Sequence, residues 1–308
     1  MLSRVAERVY WFARYMERVE SIARLIQVYT SLLSDLPRDT GISWHNLVIA
    51  SGSHREFERR FSNRDERRVI RFLLEDMSNS GSLNYSLKMV RENIRTSRDT
   101  LPPESWELIN EFQIYVSENI QQGINRRNRH EFLEEIIRTC QGINGLIVDT
   151  MRRDSAWHFY RLGRNIERAD MGLRTIEAGA SMSAEFSEQE QLPSIEVVWS
   201  SVLSSLDAIT PFRRTMRVAL NAGDATRFLI EDRLFPRSVA CCLEQMQASL
   251  SSLPGGDDVA SAVEKLAAKL GKNIEMDDPQ RLLPALDGLE KQVSGIHLKI
   301  QDNWFQPG

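Results

Sequence analysis

Tyr10-Trp-Phe-Ala-Arg-Tyr-Met-Glu-Arg-Val-Glu-Ser-Ile-Ala-Arg24 decides how this chain is read. At 100° per residue, Val5, Val9, Phe12, Met16, Val19 and Ala23 fall on one stripe, which predicts an amphipathic helix. Tyr10, Arg14, Glu17, Ser21 and Arg24 lie roughly opposite. Arg14 and Glu17 are three apart and Glu20 and Arg24 four apart, so each carboxylate has a guanidinium within reach on its own helix. Exposed, such pairs contribute only a few tenths of a kcal/mol each. The rings of Tyr10, Trp11 and Tyr15 argue that this side is not simply wet, since large aromatics are usually at least partly buried. A helix carrying rings and ion pairs opposite its apolar stripe is expected to have neighbours on both sides. Two readings stand together. One is a helix–helix seam laced with structural Arg–carboxylate pairs. The other is a site where Arg forks grip an anionic ligand and Glu17 or Glu167 does acid–base or ammonium-binding work.

The motif returns as Tyr160-Arg-Leu-Gly-Arg-Asn-Ile-Glu-Arg-Ala-Asp-Met-Gly-Leu-Arg174. A shift of 150 positions lays Arg14, Glu17, Arg18 and Arg24 on Arg164, Glu167, Arg168 and Arg174, and Glu20 on Asp170. Trp44 and Phe57 are matched by Trp199 and Phe212, a shift of 155. Arg71-Phe-Leu-Leu-Glu-Asp76 is matched by Arg227-Phe-Leu-Ile-Glu-Asp232, a shift of 156 that also takes Ser82 to Ser238. Three colinear matches predict two duplicated halves, 1–152 and 153–308, about a pseudo-twofold axis within a single domain. The two motif-bearing helices, 4–34 and 154–180, are then expected to be neighbours whose charges form one shared centre.

Between these anchors the pattern is helical throughout, and no segment of strand period competes. Helices are predicted near 44–50, after a capping box at Ser53-His-Arg-Glu56, after a cap at Ser62 or Asn63, over 82–97, after Pro102-Pro103-Glu104, and from His130 to Thr150. Pro37 and Gly41 are expected to end the first helix, and 181–193, being polar, to be a loop. Further helices are predicted at 194–209, 211–222, 224–231, 237–252, 257–271 and 279–303, punctuated by Pro and Gly. The fold class is all-α, a multi-helix bundle.

Composition narrows the function. The 308 residues are 42% hydrophobic, enough for a substantial core, and a net charge of -4 without a long basic run argues against bulk nucleic-acid binding. Of 39 basic residues six are Lys, and five of those follow position 260. Arg suits bidentate, partly buried pairs, although a genomic base bias gives the same count. Three Cys (Cys140 and Cys241-Cys242) without a C-x-x-C fit buried thiols in a reducing cytoplasm. No apolar run approaches a membrane span, and the opening residues lack the apolar core of a signal peptide. The five His include no Glu-x-x-His and no His-Glu-x-x-His, so no metal is expected. No Walker A loop or G-x-G-x-x-G is present, so no nucleotide cofactor is expected either. What remains is the Arg/Glu/Trp set, to which the middle helix adds Arg91, Glu92, Arg95 and Arg98. Met151-Arg-Arg-Asp154-Ser-Ala-Trp157 adds an acid and an indole. Asp154 reads either as an N-cap or as a ligand contact, and Trp106 and Trp157 either as core or as stacking platforms.

These residues resemble the bacterial alpha-E family over nearly the whole chain. The likeness is most specific at Met1 through Trp11 to Arg24, at Arg91-Glu-Asn with Arg98 and Trp106, at Met151-Arg-Arg-Asp154 through Asp170, and at Phe235-Pro-Arg-Ser238. The first-half turn Asn79-Ser-Gly-Ser82 departs from it, where the family tends to place a proline. The family has no settled activity. The resemblance implies a neighbour or fusion partner of a circularly permuted ATP-grasp ligase and of transglutaminase-like peptidases, hence a role in making or modifying a peptide or amide bond. Its polar motif falls here on Arg14, Glu17, Asp154, Arg164, Glu167 and Arg168. The expectation is a cytoplasmic helical partner that binds a carboxylate- or phosphate-bearing peptide or amino acid. Arg14, Arg18, Arg91, Arg98, Asp154, Trp157, Arg164 and Arg168 would be the binding set, with Glu17 and Glu167 as candidate catalytic groups. A catalytic subunit with a glutamate general base, and a purely structural adaptor, are the alternatives.

Overall fold

The computed structural model describes residues 3–35, 43–188, 192–270, 272, 274–276 and 278–305. Among them the chain forms fourteen α-helices and one 3-10 turn, with no strand. In order they are α1 (Ser3–Asp35), α2 (Trp44–Ala50), α3 (His54–Arg60), α4 (Glu66–Leu74), α5 (Leu83–Arg95), α6 (Glu104–Ile124) and α7 (Arg129–Thr150). The second series is α8 (Ser155–Glu188), α9 (Leu192–Ser205), α10 (Ile209–Met216), α11 (Ala222–Glu231), α12 (Val239–Leu250), α13 (Asp257–Ala267) and α14 (Pro279–Trp304).

The two long helices, α1 and α8, pack against each other at the centre. Each then gathers matching neighbours: α5 and α7 lie on α1, as α12 and α14 lie on α8. Crossed contacts join the series, since α2 reaches α8 and α9 reaches α1. This explains why α1 carries rings and charges opposite its apolar stripe. Phe12, Met16 and Val19 are buried on one side, and Tyr10, Arg14 and Glu17 are buried on the other. A helix closed off all round is a core element, not a surface one.

Local signals recur at matched places. Ser82 and Ser238 both hold extended backbone and accept an N–H, from Tyr85 and Cys241, at the starts of α5 and α12. Asp65 and Asn221 cap α4 and α11 in the same way. Phe57 meets Phe72 edge-on at 5.1 Å, and Phe212 meets Phe228 edge-on at 5.7 Å.

Some expected boundaries move. Ser53 makes no side-chain cap; its backbone (φ -104°, ψ 12°) is not extended. The capping box belongs instead to Ser43 and Asn46 at the start of α2. Asn63 does not cap α4, because its carboxamide oxygen accepts the Asp65 N–H in a local turn and Asp65 takes the capping role. The predicted loop over 181–193 is largely helical. Two described residues there have partners on other helices: Trp199 Nε1 donates to the Ser183 hydroxyl at 2.8 Å, and Met182 is buried with the Tyr29 hydroxyl 3.6 Å from its sulfur. Tertiary packing outweighs the polar composition. Arg217, with φ at 54°, ends α10 at Met216 rather than near 222. The expected stop at Pro37 and Gly41 lies outside the described residues.

Gly163 sets how closely α1 and α8 cross. A Cβ there would lie 2.1 Å from the Tyr10 carbonyl oxygen and 3.2 Å from the Ala13 Cβ. The obstacle is backbone, so it cannot swing away. Gly163→Ala gains about 1 kcal/mol of helix propensity, but the overpacking costs about 1–3 kcal/mol. The net expected outcome is a lower urea midpoint than wild type, with Gly163→Val lower still.

Candidate functional site

The centre of the α1–α8 crossing is a lattice of ion pairs exchanged between the helices. Arg14 Nε donates to Glu167 Oε2 at 2.7 Å, and Arg18 Nε to Glu167 Oε1 at 2.6 Å. In return Arg164 Nε donates to Glu17 Oε2 at 3.2 Å. Arg168 grips Glu17 with two donors, Nε to Oε1 and Nη2 to Oε2, both at 2.9 Å. The sequence places Arg14 next to Glu17 on one helix. The structure instead sends Arg14 to the other helix's glutamate, and Arg164 does the reciprocal. Both glutamate side chains have 0% exposure.

A further arginine joins from the turn before α12. Arg237 Nη1 donates to Glu17 Oε1 at 2.7 Å and its Nη2 to Glu20 Oε1 at 2.6 Å. Arg24 Nε also donates to Glu20, at 3.0 Å, and Arg174 Nε donates to Asp170, at 3.1 Å. Arg237 is absent from the set that sequence reasoning picks out. The signal available was its place in Phe235-Pro-Arg-Ser238, where the residue ahead of a matched cap is Arg in one half and Gly81 in the other.

The electrostatics follow from this geometry. Burial pushes the Glu17 carboxyl up, but the guanidiniums of Arg168, Arg237 and Arg164 outweigh it and hold Glu17 well below the usual carboxylate range. Glu167 is buried too, yet Arg18 and Arg14 bring it down to about 2. Arg14 Nη1 is buried without a hydrogen-bond partner, and its guanidinium carbon lies 4.9 Å from the Trp11 ring centroid. Burial raises Tyr10 to about 12 and lowers His297 to about 4, and the Tyr10 hydroxyl stands 2.8 Å from His297 Nδ1. Beyond Arg174, Glu290 of α14 is pushed up to about 8. Burial is the main cause and Glu177 adds to it, against the pull of Arg174.

The other expected residues lie elsewhere. Arg91 donates to Asn110 at 2.8 Å, and Arg98 stacks on Trp106 at 3.7 Å. Neither is bonded to the central carboxylates. Trp157 is buried, stacked on Tyr160 and covered by Arg153 at 3.7 Å. Asp154 is exposed and accepts the Ala156 N–H at 3.0 Å, so it caps α8. These four do not share the centre with Arg14, Arg18, Arg164 and Arg168. All three Cys are buried and free, and burial raises each thiol. Among the described residues no group of three or more His, Cys, Asp or Glu could hold a metal ion. Among the same residues no helix is long and apolar enough to cross a membrane.

The lattice has an opening on one side. A cleft of about 330 Å³ reaches Asp170, Arg18 and Arg174 past Gly52 and Gly81, with the buried Glu167 behind them and Arg55 and Arg59 among its walls.

Across residues 1–305 the chain matches the model of Alpha-E, described as a predicted alpha-helical domain with a conserved ER motif, and the chain belongs to that family. Glu17-Arg18 and Glu167-Arg168 are two Glu–Arg dipeptides in this sequence. Uncharacterised proteins of Mycobacterium bovis and Mycobacterium tuberculosis are similar, at 21% identity over 97% of this chain. The chain spans only 36% of the length of these relatives. No solved structure matches it.

Opposite pH slopes are expected from Glu167 and Glu290. Glu167 has a lowered folded value, so the stability it confers is complete above pH 4.5 and is lost as pH falls towards 2. Glu290 has a raised one, so its contribution is complete below pH 4.5 and is lost as pH rises through about 8. Glu290→Gln should therefore be more resistant to urea than wild type at pH 9 and nearly equal to it at pH 4.

Proposed function

We propose that this chain is a non-catalytic helical binding module that works beside a circularly permuted ATP-grasp ligase. In this reading it presents a peptide or amino-acid ligand for amide-bond chemistry, and a transglutaminase-like protein is a second expected partner. One observation carries the non-catalytic part. Every oxygen of Glu17 and Glu167 already accepts a guanidinium N–H inside a buried lattice. A general base must have a lone pair available and a pKa near the working pH. These carboxylates are fully buried among guanidiniums and held far below that range, so they act as fixed counter-ions that set where the arginines stand.

The partner reading draws on two supports. The first is the implication of the alpha-E resemblance. The second is that the matched segment is 36% of its relatives' length, so in those proteins it is one part of a longer chain. A purely structural adaptor is favoured by the burial and pairing of both glutamates. The charged cleft beside Glu167 and Asp170 favours ligand binding over that alternative. The same proposal takes the two series of helices as copies of one ancestral unit. The reciprocal ion pairs and the matched caps at Ser82 and Ser238 support it.

Glu17→Gln separates the readings. Removing one partner from a buried pair costs about 3–5 kcal/mol, because guanidiniums are left uncompensated. The expected outcome is a large drop in thermal and urea stability, with loss of co-purification with the neighbouring ligase above the new melting temperature only. A variant that stays as stable as wild type but blocks product formation in the reconstituted pair would establish catalysis by Glu17 and overturn the proposal.

A further inference from the structure

The two sides of the lattice differ at two positions, and the differences have opposite charge. The residue before the α12 cap is Arg237, whose guanidinium bridges Glu17 and Glu20. The residue before the α5 cap is Gly81, and Asp170 lines an open cleft with the buried Glu167 behind it. Two residues ahead of α10 stands Asp207, with φ at 58° and its carboxylate 3.7 Å from Arg24. Two residues ahead of α3 stands Gly52, with φ at 72°. A Cβ on Gly52 would lie 2.3 Å from Arg174 Nη1, so the guanidinium that matches Arg24 lies directly over the bare backbone. The cleft beside Glu167 therefore lacks the guanidinium that its counterpart has. Arg174 finds its second carboxylate in Glu290 of α14, 3.9 Å away, so no acidic side chain meets it from Gly52.

Hydrogen bonding shows the same shortfall. Arg168 uses Nε and Nη2 on Glu17 and Nη1 on the Pro236 carbonyl, whereas Arg18 engages Glu167 through Nε. Glu17 receives three arginines and Glu167 two; Glu20 receives two and Asp170 one. Arg55 stands exposed on the same cleft, where it can add to the attraction for an anion.

We propose that this cleft binds a ligand carrying a guanidinium and a carboxylate, a free arginine-like amino acid or a peptide ending in one. The guanidinium takes the place that Arg237 fills on the other side, bonding Asp170 and lying over the charge of the buried Glu167. The carboxylate takes the place of the Asp207 group, against Arg174 and the free donors of Arg18. Each contact is a charge-assisted hydrogen bond, for which an Arg fork and a carboxylate are geometrically matched. The cleft, about 330 Å³, accommodates a single amino-acid-sized ligand. The inference rests on the reading of this chain as a binding module and names the ligand class of that module.

The test is calorimetric titration of the whole chain with L-arginine, N-acetylglycyl-L-arginine, agmatine and inorganic phosphate. L-Arginine, the acetylated dipeptide or both should bind, and whichever binds tighter identifies the source. Agmatine lacks the carboxylate and phosphate lacks the cation, so each should bind at least about tenfold more weakly. Gly81→Arg combined with Ser53→Ala supplies the missing guanidinium. A Cβ at Gly81 would stand 2.8 Å from the Ser53 hydroxyl, which the second change removes. This variant should lose binding by more than about tenfold. Asp170→Asn, milder for the fold, should weaken the arginine ligands by about tenfold and leave phosphate unweakened. Absence of binding by both arginine ligands at millimolar concentration overturns the inference. So does unchanged binding in both variants, or phosphate binding more tightly than L-arginine. Such a failure leaves the ligase partnership standing, since co-purification reads that separately.

Discussion

Burying a carboxylate is costly, and this fold does it three times around one helix crossing, with Glu17, Glu20 and Glu167. The cost is offset only because each carboxylate meets several guanidiniums at hydrogen-bond distance. Arginine suits such a centre because it stays charged, its fork matches a carboxylate, and it is less strongly hydrated than lysine. The reciprocal exchange has a geometric consequence. α1 does not satisfy Glu17 nor α8 Glu167, so each helix is incomplete without the other. The close approach permitted by Gly163 brings the two backbones within range for the exchange. The outer helices then pack on this pair, α5 and α7 on one side and α12 and α14 on the other.

Much of the fold was legible in the sequence because its signals are local. Period, caps and turn residues located the helices, and the recurrence of the Tyr10–Arg24 pattern picked out the two that meet. Legibility failed where tertiary contacts outweigh local preference. The polar stretch after Ser181 reads as a loop, yet Ser183 and Met182 have partners on other helices that keep it helical. The candidate site shows the same division. Arg14, Glu17, Arg164 and Glu167 were recognisable as a set, but spacing paired each glutamate with its own helix's arginine. Only the crossing reveals the exchange. Arg237 lay beyond local reasoning, 220 residues from the carboxylate it binds. Arg91, Arg98 and Trp157 belong to Arg–Trp stacks away from the centre, and nothing in their spacing distinguishes the two environments.

The abundance of arginine is a weaker clue than it first appears. Exposed pairs use it as freely as buried ones: Arg59 meets Glu56 and Arg138 meets Glu134 on the surface. Such pairs add little stability. What marks the centre is therefore burial of the acid, not the identity of the base. Glu17, Glu20 and Glu167 are the carboxylates at 2% side-chain exposure or less among the ion pairs of the described residues.

The partners of α1 also impose an order on assembly. Ser3 bonds to the carbonyl of Trp304, Tyr10 meets His297, and Glu17 waits for Arg237. A ribosome adding about 5–20 residues per second leaves the first helix without these contacts for tens of seconds. During that interval Glu17 lacks the guanidiniums of Arg164, Arg168 and Arg237 that offset its burial. Packing of α1 on α5 and α7 needs only nearby sequence, whereas closure of its charged face waits for residues synthesised long after it, so the charges at the centre tie the last step of folding to the far half of the domain.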